Sequence, residues 1–549
     1  MKLFHSALLA GCSVCFLGGN VQTACARQNI LIGAMSIRYD HQERTYDNVG
    51  RPPTEPRTGV TSETGTSTAQ LVDDRRGDRQ TYIITPRLTF SSAGTNDLFE
   101  ISYAPGLNYD HIYDSTELDH DFALRLEKDI TRVWHVSVND NYFLGDDPVR
   151  EEELRSRDST ESAQESADQE PVVGAPVDDS GENLTDIFGR RRYWTNTLDV
   201  LSVYEYGEGR SVSVGYTYDV LRNEDSNLAG GYTDYDRHTA LLRFQHRFDR
   251  QWYTEGEANY SKGLFDDIER TTSTRALPES LVSSTGGETL GAGGPFGAGN
   301  EVDRNQEADY GSGDLVEYLV RIRGGYAYSP HLDMFTEYSF QQTDYDDAGR
   351  DDYSVHNVAL GLDYDLTTRL HCTLSGGPSW GVLGDGSTEM DYNAYGAIIW
   401  DFLHGTTTVS AEKGYSENNF DGRRSGLTDF WSVGFSLDYQ FSPSLAATVS
   451  ASYVDNSHLQ NPIVDATGVA TVNLDEQDRP AEAFDQVIYT EKDYDVGASL
   501  TYTFLRWYTL TGGYRYVIHD SDQYEYDVDS YDEHRFYVGI AVDKEVFRW

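Results

Sequence analysis

The sequence predicts an all-β fold: a single transmembrane, antiparallel, up-and-down β-barrel of about 20 strands, within a range of roughly 18 to 22. Three observations predict it. Segments alternating apolar and polar residues recur along nearly the whole chain. The connections between them alternate between short turns and long loops, as expected of a barrel with short periplasmic turns and long outer loops. No stretch after residue 30 is apolar enough for a spanning helix, and mean hydropathy is -0.57. A membrane chain without apolar helices must close a barrel, because every backbone polar group needs an internal partner.

The first residues read as a leader. Lys2 gives a positive start, an apolar run follows from Leu3 to about Leu17, and Ala24-Cys25-Ala26 forms a cleavage site, so residues 1–26 are expected to be a signal peptide and 27–549 the barrel. The rival reading is a lipoprotein box at Leu9-Ala10-Gly11-Cys12, which would leave a lipidated Cys12. Cleavage after Ala26 leaves Cys372 alone of the 4 cysteines, which excludes an intramolecular disulfide and a thiolate zinc cluster. The strand series begins at about Ile30, leaving no room for an N-terminal plug domain.

Among the strands, the segment from Trp431 to Phe441 is the clearest: odd positions are large and apolar, even positions small or polar. A strand has period two, so the aromatics share one face, toward lipid, and the polar residues line the lumen. The segments at 211–220, 357–366, 493–504 and 508–518 repeat the pattern. Short turns fall at 207–209, 249–251, 329–331, 367–369, 403–405 and 442–444. Longer connections run near 42–77, 145–190, 222–234, 266–313, 344–353, 381–387, 416–427, 455–488 and 519–530. The end departs from the pattern. Val538, Ile540 and Val542 set one parity and Phe547 and Trp549 the other, so either a bulge lies near Asp543-Lys544-Glu545 or the last strand stops near Val542.

Parity assigns a set of charges to the lumen: Arg125, Glu127, Arg243, Arg247, Glu255, Glu257, Arg321, Arg323, Asp363, Asp438, Asp493, Asp495 and Arg515. A charge facing lipid would cost several kcal/mol at mid-membrane. Such residues either neutralise one another in a hydrated lumen or form a track for solutes.

The chain carries 91 acidic residues against 43 basic, a net charge of -48, which argues against a nucleic-acid partner. Its 39 tyrosines and 13% aromatic content argue against disorder. The long connections are acidic, and Asp344, Asp346, Asp347, Asp351 and Asp352 form a candidate cation-binding loop, with calcium the suited ion. The ordered spacing and central glycine of a calcium-loop motif are missing, so no cofactor is expected beyond such a divalent cation. The glycine-rich stretch 285–299 could fold inward and narrow the channel or remain an outer loop. None of the 14 histidines sits in a catalytic motif with Ser or Asp, so no enzyme is expected.

The chain resembles the beta-barrel porin 2 family of bacterial outer-membrane proteins, which often accompany exopolysaccharide systems. The resemblance rests on Tyr216-Thr217-Tyr218-Asp219, on the run from Tyr235 to Ala240, on the Ser-Pro turns at 329–330 and 442–443, and on the Trp549 ending. It implies outer-membrane localisation and contact with lipid and lipopolysaccharide. It also implies that the barrel-insertion machinery reads Phe547 and Trp549, and it adds polysaccharide-export components as candidate partners. The expected function is a porin-like channel for hydrophilic solutes or the exit for a surface polysaccharide. The alternative is a non-conducting surface protein whose acidic loops bind cations or partners.

Overall fold

The computed structural model describes residues 27–46, 78–112, 114–145, 192–223, 234–265, 314–346, 352–383, 388–418, 426–459, 489–521 and 530–549. The leader, the glycine-rich stretch 285–299, and Asp347 and Asp351 lie outside them. The described residues form twenty strands. They are β1 (Gln28–Tyr46), β2 (Arg79–Ala93), β3 (Asp97–Asp110), β4 (Ser115–Thr131), β5 (Trp134–Gly145), β6 (Tyr193–Gly207) and β7 (Arg210–Asn223), then β8 (Tyr235–Arg247), β9 (Trp252–Phe265), β10 (Leu315–Ser329), β11 (Leu332–Tyr345), β12 (Tyr353–Thr367), β13 (Leu370–Leu383) and β14 (Thr388–Phe402), and finally β15 (Gly405–Asn418), β16 (Gly426–Ser442), β17 (Leu445–His458), β18 (Tyr489–Phe504), β19 (Tyr508–Ser521) and β20 (Tyr531–Arg548).

Each strand pairs antiparallel with its sequence neighbours, and β20 pairs with β1 to close the ring. Closure leaves no exposed edge along the ring, which is the condition for strands to cross a bilayer. Twenty strands about 4.8 Å apart, tilted by about 40°, make a ring with a mean backbone diameter of about 40 Å. The connections sort by end as the sequence predicts. At one end the turns are short: Gly207 to Arg210, Thr367 to Leu370 and Ser442 to Leu445 are joined by two residues each. The start of β1 and the C-terminal residue lie at that same end, where Asn29 and Trp549 exchange both backbone hydrogen bonds at 2.9 and 3.0 Å. The opposite end carries the long connections, apart from β3–β4 and β13–β14, which are joined by four residues each, 111–114 and 384–387.

The parity break near the C-terminus is a bulge. Leu31 pairs with Phe547 and Ile32 with Glu545, so Val546 is the extra residue, and β20 continues to Arg548. The extra residue turns Phe547 and Trp549 back to the outer face, where the Trp549 ring lies 6.1 Å from Phe90.

The outer face holds the large exposed apolar residues, among them Ile37, Leu88, Val214, Leu360, Phe435, Leu500 and Ile540. Near the long-loop end this face repeats one unit four times. A tyrosine hydroxyl meets histidine Nδ1 on the next strand at 2.8 or 2.9 Å, in Tyr103–His120, Tyr216–His238, Tyr338–His356 and Tyr514–His534. In three of these the imidazole also lies against the ring two residues after the tyrosine: Tyr218, Phe340 and Tyr516, at 4.8, 4.9 and 4.5 Å. The outer face is not free of charge. Asp140, Asp236, Lys413, Asp429 and Asp455 share its parity. Each has a polar partner, as when Asn196 donates to Asp140 at 2.6 Å and Tyr218 to Asp236 at 2.8 Å.

Candidate functional site: the lumen

The pleat sends every second residue inward, and the observed register places all thirteen charges assigned by parity on the lumen face. They do not form one ring. Two charged walls stand opposite each other; a hydroxyl-rich wall lies between them on one side, and on the other β3 to β7 turn the acids Glu100, Glu117, Asp119, Asp121, Asp199 and Asp219 inward.

The first charged wall spans β8 to β12. Arg243 Nε donates to Glu257 at 2.9 Å, Gln245 to Glu255 at 3.1 Å, and Arg237 lies 3.6 Å from Glu317. Its centre is Glu337, which accepts from Arg323 at 2.8 Å and lies 3.5 Å from Arg321. Arg323 is 1% exposed and Glu337 4%, although both face a lumen. The packing beneath explains this. The Phe335 ring lies flat over Gly361, where a Cβ would collide with it, and the Arg323 guanidinium covers that ring at 4.2 Å. Glycine here is a close-approach residue: it lets the ring sink into the wall and the arginine sink onto the ring.

The second charged wall spans β18 to β2, ten strands away and therefore across the lumen. It is built the same way. Tyr537 covers Gly513, Arg38 covers Tyr537 at 4.3 Å, and Arg38 and Arg535 both bond Asp40, at 2.8 and 3.1 Å. Higher up, Arg44 covers Tyr531 at 4.2 Å and bonds Glu533, which also accepts from Gln42 at 2.8 Å. Arg515 bonds Asp495 at 2.7 Å, and His519 meets Asp493 at 2.6 Å. Sequence reasoning missed Arg38, Asp40, Arg44, Glu337, Glu533 and Arg535. The signal was present, because Asp40, Gln42 and Arg44 have the opposite parity to Met35, Ile37 and Tyr39.

Between these walls, β15 to β18 present small hydroxyls: Thr408 and Ser410, Ser436, Thr448, Ser450, Ser452 and Ser499. Asp438 is held there by Thr448 at 2.7 Å. On the opposite side Arg125 bonds Glu127 at 2.6 Å. Asp363 is buried on β12, and Arg247 sits at the short-turn end, where its carbonyl accepts from Arg210 at 2.9 Å. The charges of the two walls are thus mostly paired locally and the β15 to β17 wall carries little charge, while on the β3 to β7 side acids outnumber arginine.

Of the acidic loop, Asp344, Asp346 and Asp352 are described. Asp344 accepts from Gln342 at 2.7 Å, and Asp352 accepts from the Tyr345 backbone at 2.8 Å. Among the described residues no three acidic, histidine or cysteine side chains gather as metal ligands.

At the long-loop end the inner face turns apolar. Phe143, Tyr193 and Leu221 form one buried cluster, Phe265 and Leu315 a second, and in a third Tyr353 and Val355 pack with Tyr415 and Leu427, which carry the outer-face parity of Lys413 and Asp429. Tyr235 packs against the first two and Tyr345 against the last two, so an apolar band follows part of that mouth.

No protein-family model matches the sequence, and no curated protein does. Solved structures with a similar chain path include the siderophore receptor PirA of Pseudomonas aeruginosa, with 8% identity over 94% of this chain and 80% of that one, at a TM-score of 0.42. OpdL of the same organism has 10% identity over 94% and 99%, at 0.36. PirA of Acinetobacter baumannii has 8% identity over 94% and 81%, at 0.44.

Proposed function

We propose that this barrel is an outer-membrane channel that passes hydrophilic solutes. One observation carries the reading: a closed ring of twenty strands with an apolar outer face encloses a lumen walled by hydroxyls and paired charges. Passage needs no covalent chemistry, and no catalytic role is proposed. The acidic excess on the β3 to β7 side of the lumen and the charge of -48 on the whole chain both favour cations and small uncharged solutes over a polyanion. Exit of a neutral surface polysaccharide is the finer form of this proposal, and it rests on the resemblance to the beta-barrel porin 2 family.

Planar-bilayer recording tests it. Purified folded barrel should give stable open steps, and the reversal potential in a salt gradient should report cation preference. Silent bilayers from protein that still migrates as a folded barrel would overturn the channel and leave a non-conducting surface protein. Block of the steps by a neutral oligosaccharide, and not by a charged one, would support the polysaccharide form.

A further inference from the structure

Among the described residues two ladders are interrupted in mid-wall, and both interruptions fall at proline. Between β12 and β13 the pairs Val358–Pro378 and Ala359–Gly377 are missing, with Asn357–Ser379 above and Leu360–Gly376 below. Between β2 and β3 three pairs are missing: Thr85–Gly106, Pro86–Pro105 and Arg87–Ala104, with Ile84–Leu107 above and Leu88–Tyr103 below.

The register fixes what each proline removes. Opposed residues of an antiparallel pair alternate between those that exchange both N–H···O bonds and those that exchange none. His111 N donates to Gln80 O at 2.8 Å and Gly94 N donates to Asp97 O at 2.7 Å, so the even residues of β2 are the ones bonded to β3. Pro86 and Pro105 therefore face each other where two bonds belong, and neither has an N–H to give. The other gap is mended. Pro378 withholds one N–H from the Val358 carbonyl, and Asn393 of β14 donates its side-chain amide there at 3.5 Å and to the Pro378 carbonyl at 3.4 Å. Among the described residues no side chain donates to the Pro86 or Pro105 carbonyl. The bilayer on the outer face supplies no donor either.

Above this break the two strands are lightly held. Toward the long-loop end only the pairs from Thr81–Asp110 to Ile84–Leu107 remain, with the His111 to Gln80 bond beyond them. On the lumen side Arg79 stands 3.5 Å from Asp110 across the seam, and on the outer side the Tyr82 and Tyr109 ring centroids are 6.5 Å apart. Below the break the ladder runs unbroken from Leu88–Tyr103 to Ala93–Leu98 and ends in a short turn at 94–96. Pro86 lies seven residues from either end of β2, so the break falls midway up the strand.

We infer that the β2–β3 seam is a hinge in the barrel wall. Above Pro86 and Pro105 the two strands part and rejoin as one flap, while the rest of the ring stays laddered. Each strand keeps its other neighbour, β2 with β1 and β3 with β4. Opening admits lumen water to the seam and widens the mouth between the second charged wall and the acidic side of the lumen. The Arg79–Asp110 pair is its clasp.

Residue-resolved amide hydrogen exchange by NMR, on the folded barrel in phospholipid nanodiscs, tests the hinge. The amides of Tyr82, Ile84, Leu107 and Tyr109 bond across the seam, whereas those of Thr81, Ile83 and Asn108 bond away from it, so each strand carries its own control. The first set should exchange about tenfold faster than the second. Changing Pro86 and Pro105 together to Val returns both donors and should abolish the difference. Arg79→Ala should widen it. Asn393→Ala should create the same signature at the mended gap, in the amides of His356 and Trp380 that bond across it. Equal protection of the two sets in the parent chain would overturn the hinge. Fast exchange that survives in the double valine variant would overturn its assignment to the prolines. If that variant does not fold, Pro105→Val alone returns one donor and must narrow the difference for the hinge to stand. The readout needs no conduction, so a silent barrel would sink the channel and leave the hinge in place.

Discussion

Arg323 shows how one side chain can be both lumen-facing and buried. Its charge is matched by Glu337, its plane by Phe335, and the space for that ring by the missing side chain of Gly361. Removing one member of a buried pair strands the other, so Arg323→Ala should cost roughly 3 kcal/mol in reversible urea unfolding from detergent. Arg321, 3.5 Å from the same carboxylate, should hold the loss at the low end of that class. A double change of Arg323 and Glu337 to Met and Leu should recover much of it. At the short turns a different residue acts. Asp249 accepts backbone hydrogen bonds from Gln251 at 2.7 Å and Trp252 at 2.8 Å, and these bonds hold its carboxyl below the ordinary range. The sign follows from that direction. The stabilisation is complete above the unfolded value, near pH 4, and is lost as pH falls through the depressed folded value. Asp249→Ala should therefore destabilise the barrel at pH 7 and differ little from the parent at pH 2, as read from unfolding midpoints.

At the scale of the strand, the C-terminal bulge decides which way the last aromatics point. Deleting Val546 would restore an unbroken ladder and keep Phe547 and Trp549 on the outer face, opposite Leu31 and Asn29. The expected outcome is assembly into vesicles at the parent's rate, measured as the fraction reaching the heat-modifiable folded form, whereas changing both Phe547 and Trp549 to Ser should slow it. Most strands were legible because an interfacial strand writes its two faces as alternation. The bulge was legible too, because one extra residue must break parity. The early end of the β14–β15 ladder, at Ala394–Lys413, was not. Residues 388–393 and 414–418 look like ordinary strand, and whether two strands pair at a given height depends on where neighbouring hairpins lean. The tyrosine–histidine units were visible only as texture. Tyr216-Thr217-Tyr218, Tyr338-Ser339-Phe340 and Tyr514-Arg515-Tyr516 each precede a histidine on the next strand, but the diagonal contact that joins them needs the register.

For the whole barrel, charge is distributed unevenly between the lumen walls and the chain as a whole. The two charged walls pair most of their charges, while β3 to β7 turn an acidic excess into the lumen and the full chain carries -48. Selectivity should then arise from a diffuse field at the mouth and along the acidic side of the lumen. Such a field reaches about 10 Å at 0.1 M salt and about 3 Å at 1 M, against a lumen radius of about 20 Å. The cation preference read from reversal potentials should be clear at 0.1 M and nearly vanish at 1 M. A preference that persists at 1 M would instead locate selectivity at the paired walls. This balance was only half legible: parity placed the charges inside, but which acid neutralises which arginine is set by stagger between strands, as with Arg535 and Asp40, 495 residues apart in the chain.

The bond between Asn29 and Trp549 makes the last pairing in the ring also the one most distant in sequence. Until β20 reaches β1, both of those strands have an unsatisfied side, so closure is the late, non-local step that limits how fast this topology can form. Once closed, the ring has no privileged seam between first and last strand. Residues 28–30 and 547–549 lie side by side, so a short linker could splice them, and the same circle could be cut open at any long loop. Chain order in this protein governs the course of assembly far more than the identity of the finished barrel.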